Sequence, residues 1–199
     1  HCFEEHVPSL CRMLSHDQFD GVAKAMMTTD AFPKMCARTI TVEGQEVRLL
    51  GLAKGAGMIH PDMATMLAFV VTDAVLADGL LEEALKQSVN ASFNRITVDR
   101  DTSTNDMVLL LASGEAENQE IDAGSSALGQ FCGALNEIML ELAKMITRDG
   151  EGATKLVRIQ INGALNDDDA LLAARSVATS QLVKTAFFGE DANWGRIIA

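Results

Sequence analysis

The run from Ala123 to Ile146 is the strongest constraint on what this chain can fold into. Small and apolar residues recur along it over enough turns to make the longest helix of the chain. A helix of that length needs a broad apolar surface to lie on. The candidate strands offer one. Arg38 to Val42 and Glu46 to Ala53 alternate and meet at a turn around Gly44-Gln45, while Met66 to Val71 and Met107 to Ala112 are apolar and β-leaning. Leu156 to Ile161 and Leu182 to Phe188 read as two further strands.

Helices fall between and around these strands. Pro8 is placed to open a short helix in the mixed segment His1 to Ser15. Asp17 to Met27 has an acidic start and apolar residues near helical spacing, and it stops at Thr28-Thr29-Asp30, whose side chains compete with helix hydrogen bonds. After a turn at Ala77-Asp78-Gly79, Leu80 to Phe93 has the 3.6-residue pattern, and Asp167 to Ala178 reads as a helix too. Neither an internal repeat nor a low-complexity linker divides the chain, so residues 1–199 read as a single domain. The order mixes hairpins with helices rather than alternating βα units, which predicts an α+β fold.

Charge and composition narrow the function. A net charge of −12 argues against a nucleic-acid partner. No apolar run is long enough to span a membrane as a helix. Hydrophobic residues make up 48% of the chain, enough for a real core. Cys2, Cys11, Cys36 and Cys132 are scattered, with no CxxC and no zinc spacing, which predicts free thiols in a reducing compartment, the cytoplasm.

The chemistry concentrates in Gly51 to Asp73, GLAKGAGMIHPDMATMLAFVVTD. Lys54-Gly55-Ala56-Gly57 and His60-Pro61-Asp62 are turn signals, and Ala64-Thr65 precedes the apolar strand. A threonine hydroxyl is a weak nucleophile unless a base takes its proton. Cutting the peptide bond before it frees its own α-amine for that task. The residues alone leave two readings open: Thr65 as a self-freed nucleophile after cleavage at Ala64, or Thr65 as the start of an ordinary strand.

Four blocks in order decide between them. AMMTTDAFPK (Ala25 to Lys34), KGAGMIHPDMATMLAF (Lys54 to Phe69), TVDRDTSTND (Thr97 to Asp106) and VKTAFFGEDANWGRIIA (Val183 to Ala199) together resemble the bifunctional ornithine acetyltransferase, or glutamate N-acetyltransferase, family of arginine biosynthesis. The resemblance implies an αββα fold, two stacked sheets flanked by helices, here partial because the family's chains run further at both ends. It implies cleavage between Ala64 and Thr65, and transfer of acetyl from N2-acetylornithine to glutamate through acetyl-Thr65. Acetyl-CoA is a further co-substrate in bifunctional members, and no bound cofactor is implied. By motif matching it makes Thr28, Lys54 and Glu151 the substrate contacts, with Thr29 able to replace Thr28. A zwitterionic amino acid suits Lys54 at its carboxylate and Glu151 at its ammonium. The assembly implied for the whole protein is a heterotetramer of two α and two β chains.

The family's oxyanion-hole Thr-Gly pair lies upstream of the motif at Thr28 and is not among these residues, so the chain alone is expected to be a poor catalyst. Hydrolysis of the acyl-Thr65 by water, as in related self-processing aminopeptidases, stays open, and so does a non-catalytic fragment. Asp99, Asp101, Ser103 and Asn105 alternate like a calcium loop. However, Thr104 and Leu110 stand where that loop needs Gly and Glu, so a side-chain-bonded turn walling the site is expected instead of a metal. The four histidines, His1, His6, His16 and His60, have no ligand spacing. Trp194 is expected to pack rather than react.

Overall fold

The computed structural model describes residues 2–15, 17–60 and 66–199. Two helices open the chain, α1 (Cys2–Arg12) and α2 (Phe19–Met26). Strands β1 (Lys34–Val42) and β2 (Gln45–Lys54) then form a hairpin in full register from Val42 opposite Gln45 to Lys34 opposite Ala53. Its two-residue turn is Glu43-Gly44, both at positive φ (48° and 87°), the primed geometry that follows the twist of paired strands. The turn therefore sits one residue earlier than expected, and β1 begins four residues before Arg38.

β3 (Leu67–Thr72) pairs antiparallel with β2, and β4 (Met107–Ala112) pairs parallel with β3, giving the order β1-β2-β3-β4. A parallel neighbour needs a crossover, and helix α3 (Leu80–Ala91) lies in it, followed by a short 3₁₀ turn at Phe93–Arg95. The long helix α4 (Ser126–Arg148) starts where the Ser125 hydroxyl accepts the Ala127 amide at 3.1 Å. It lies across β1 and β2. Phe131, Leu135, Ile138, Met139, Leu142 and Ile146 on its inner face are fully buried, each contributing about 1.5–3 kcal/mol over an exposed position.

Close seating of α4 depends on Gly51 in β2. A Cβ there would stand 2.4 Å from Ile138 Cγ2 and 2.8 Å from Leu142 Cδ1. Gly51→Ala is therefore expected to force the helix off the sheet and cost about 1–3 kcal/mol. Urea unfolding of the two proteins measures this, and equal midpoints would show that the side chains of α4 yield without cost.

The α+β class holds, with one four-stranded sheet among the described residues. Its second face is apolar as well: Leu52, Phe69 and Leu109 form one row across three strands, and Leu109 and Leu111 are exposed. No helix among the described residues is long and apolar enough to cross a membrane, and all four cysteines are free.

Three local expectations are corrected. Leu156 to Ile161 is irregular rather than a strand, because among the described residues no strand stands beside it to complete a ladder and its side chains are mostly exposed. Leu182 to Phe188 belongs to helix α6 (Gln181–Phe188), started by the Ser180 hydroxyl, which accepts the Val183 amide at 3.3 Å. Pro8 sits inside α1 instead of opening it. Helix α5 (Asp167–Thr179) matches its expected span, with Asn166 capping it through the Asp169 amide at 2.8 Å. The last turn, α7, covers Gly195–Ile198.

Candidate active site

The register aligns Lys54, Leu67 and Met107 at one end of the sheet. There the chain leaves β2 through Gly55-Ala56-Gly57 and returns to enter β3. Ala64 and Thr65 fall in the loop between, outside the described residues.

Asp99 holds the segment that follows Gly57. The carboxylate accepts the amides of Met58 at 2.7 Å and Ile59 at 3.0 Å, and also that of Asp101 at 3.0 Å. Met58 has φ 53°, a conformation uncommon for a side-chain-bearing residue and retained here by those bonds. The Val98 amide donates to the Ile59 carbonyl at 2.8 Å, and His60 Nδ1 lies 3.2 Å from the Thr97 hydroxyl. The segment that resembled a calcium loop is thus a turn whose carboxylate binds backbone. Among the described residues no cluster of acidic, His or Cys side chains could hold a metal.

Asp106 holds Met66, the residue just before β3. Its Oδ1 accepts the Met66 amide at 2.8 Å, the peptide immediately after Thr65. Its Oδ2 is buried without a hydrogen-bond partner among the described residues. Burial pushes this carboxyl above its ordinary range, against the lowering pull of the Met66 amide and the Lys54 charge. Lys54, half-buried at the end of β2, is close enough for its charge to act on this carboxyl.

The substrate-contact candidates are joined by a network that the sequence did not reveal. The Asp30 carboxylate accepts the Gly55 amide at 2.7 Å and the Thr28 amide at 3.1 Å. Asp149, just past α4, accepts the Ala31 amide with both oxygens, at 3.0 and 3.2 Å. Between the two carboxylates lies the Lys34 ammonium, 2.6 Å from Asp30 and 2.5 Å from Asp149, its side chain wholly buried. It also lies 4.9 Å from the centre of the Phe32 ring. Burial works against ionising Asp30, but the bonds from Gly55, Lys34 and Thr28 outweigh it and hold the carboxyl below its ordinary range.

Glu151 completes the group. Its amide donates to the Ala56 carbonyl at 2.8 Å, and a Cβ at Gly57 would meet its carboxyl carbon at 2.9 Å. Only glycine leaves that carboxylate in place. A surface cleft is lined by Thr29, Asp149 and Glu151 with neighbouring residues. Thr28 does not line that cleft; its amide is tied back to Asp30. Trp194 is largely exposed, contrary to the expected packing role. Lys184 from the fourth motif block donates to the Val98 carbonyl, bringing α6 against the Asp99 turn.

The ArgJ family model matches residues 1–199. The chain belongs to the ArgJ family. It is 58% identical over 196 residues to the "Arginine biosynthesis bifunctional protein ArgJ" of Syntrophotalea carbinolica, covering 98% of this chain and 50% of that protein. To the ArgJ protein of Desulfotalea psychrophila it is 52% identical, covering 99% of this chain and 50% of the relative. A crystal structure of the ArgJ protein of Bacillus halodurans superposes with a TM-score of 0.63 at 52% identity, over 65% of this chain and 61% of that one. The chain thus spans about half the length of the curated ArgJ relatives it matches.

Proposed function

We propose that this ArgJ-family chain carries the nucleophile and part of the substrate site of an acetyltransferase that moves acetyl from N2-acetylornithine to glutamate. The observation that carries the reading is the convergence of the Thr28, Lys54 and Glu151 loops at the end of the sheet where β3 begins. Asp106 fixes the peptide after Thr65 at the same place.

In this reading, cleavage between Ala64 and Thr65 frees the Thr65 amine, whose ordinary pKa of about 8 suits a base near neutral pH. The amine takes the hydroxyl proton as Thr65 Oγ attacks the acetyl carbonyl. The amide C–N bond breaks, the proton passes to the leaving nitrogen, and ornithine departs. The glutamate amine then attacks the ester, giving N-acetylglutamate and restoring the hydroxyl. Lys54 pairs with the substrate carboxylate and Glu151 with its ammonium, each bond contributing roughly 1.5–3 kcal/mol. The enzyme works in the cytoplasm as two α and two β chains. The free cysteines support the compartment.

The test starts with intact mass of the full-length protein under denaturing conditions. Two pieces meeting at Ala64 and Thr65 are expected. Acetyl transfer is then assayed with acetylornithine or acetyl-CoA as donor, and with glutamate or water alone as acceptor. An uncut active protein would move the nucleophile elsewhere, and turnover without glutamate would make the enzyme a hydrolase. Lys54→Ala is expected to raise KM about ten-fold or more while cleavage proceeds. Equal loss of both would place Lys54 in the cleavage step.

A further inference from the structure

Lys34 makes no approach to solvent, yet its ammonium reaches two carboxylates that belong to different loops of the site. Through Asp30 it is tied to the Thr28 amide and to Gly55, the neighbour of Lys54. Through Asp149 it is tied to Ala31 and to the turn that carries Glu151 two residues on. The three loops come from separate parts of the chain: the end of α2, the end of β2 and the end of α4. We propose that Lys34 is a positioning residue for substrate binding, its buried ammonium setting the spacing of the Thr28, Lys54 and Glu151 loops. The inference rests on the acetyl-transfer reading above.

The physical basis is charge balance in a dry site. Two carboxylates this close repel strongly where water cannot screen them. The single ammonium between them converts that repulsion into attraction and draws the two loops together. Side chains that bind a substrate at both of its charged ends must be held a fixed distance apart to engage both ends at once. The network touches neither the peptide after Thr65, which Asp106 holds, nor the Met58-Ile59 turn, which Asp99 holds. Lys34 should therefore govern substrate affinity and leave self-cleavage intact.

Lys34→Met, Lys34→Arg and Asp149→Asn in the full-length protein test this. Lys34→Met leaves two buried carboxylates facing each other and is the variant most exposed to misfolding. Asp149→Asn is milder, because it keeps an oxygen for the Ala31 amide and leaves the Lys34–Asp30 pair neutral. In folded Asp149→Asn, KM for both acetylornithine and glutamate should rise roughly ten-fold with kcat within about two-fold, and cleavage at residue 65 should be complete. Lys34→Arg should recover part of the lost affinity of Lys34→Met. Hydrogen exchange at Thr28, Ala31 and Gly55 should accelerate at all three amides together. An unchanged KM with looser amides would reduce Lys34 to a stabilising group, and unchanged exchange would dissolve the network; either overturns the inference. An unaltered protein that transfers no acetyl group would instead overturn the substrate reading, and this inference with it.

Discussion

Thr65→Ala should leave the full-length protein as one uncut chain and abolish acetyl transfer, while its thermal unfolding stays close to that of the unaltered protein. The substitution removes one hydroxyl and one methyl group ahead of β3. Its expected catalytic cost is of a different order, roughly 10⁴–10⁶, because a nucleophile has no substitute within its own site. Two readouts separate the roles. Intact mass reports the hydroxyl's attack on the preceding peptide, and trapping of an acetyl adduct reports its attack on substrate. Thr65→Ser, which keeps the hydroxyl and the future amine, should retain cleavage and a measurable part of transfer. Transfer persisting in Thr65→Ala would mean that the nucleophile lies elsewhere and that the buried Asp106 anchor beside Met66 serves the strand alone.

The parts of this fold that could be read from sequence are those whose pattern is local. The apolar face of α4, the alternation of β2 and the apolar run of β4 each carry their own periodicity, and each element lies within a few residues of expectation. Leu156 to Ile161 also alternates, but a strand is completed by a neighbour, and among the described residues none stands beside it. Leu182 to Phe188 failed for another reason. A short apolar run fits a strand or a helix equally, and the capping hydroxyl of Ser180 settles it.

The site shows the same division. Thr28, Lys54, Thr65 and Glu151 could be named because their motifs match a family, and what the structure adds is the placement of three of them at one end of the sheet. Asp30, Lys34 and Asp149 carried no such mark. A lysine and two aspartates ordinarily occupy solvated faces, and the contacts that make these unusual join distant residues, 25 apart from Asp30 to Gly55 and 115 or more from Asp149 to Lys34 and Ala31. The one sequence hint was the i,i+4 spacing of Asp30 and Lys34, which in an irregular segment means nothing until the backbone brings them together.

That network also yields the largest expected loss of stability. Asp30→Ala should cost about 3 kcal/mol, and so lower the midpoint of thermal unfolding by roughly 6–12 °C for a chain of this size. The substitution leaves the Gly55 and Thr28 amides without their acceptor and the Lys34 ammonium with one counter-charge in place of two. The effect should depend on pH in a definite direction. In the folded protein the Asp30 carboxyl is held below its ordinary range, so its ionised form favours the native state. That contribution is complete above the unfolded value of about 4 and drains away as pH falls through the lower folded value. Urea unfolding of the two proteins should give a constant difference between pH 6 and 7.5 that narrows below about pH 4. A difference that stays constant into acid would mean that Asp30 works by its shape and its neutral hydrogen bonds, and that the buried ammonium of Lys34 is balanced by Asp149 alone.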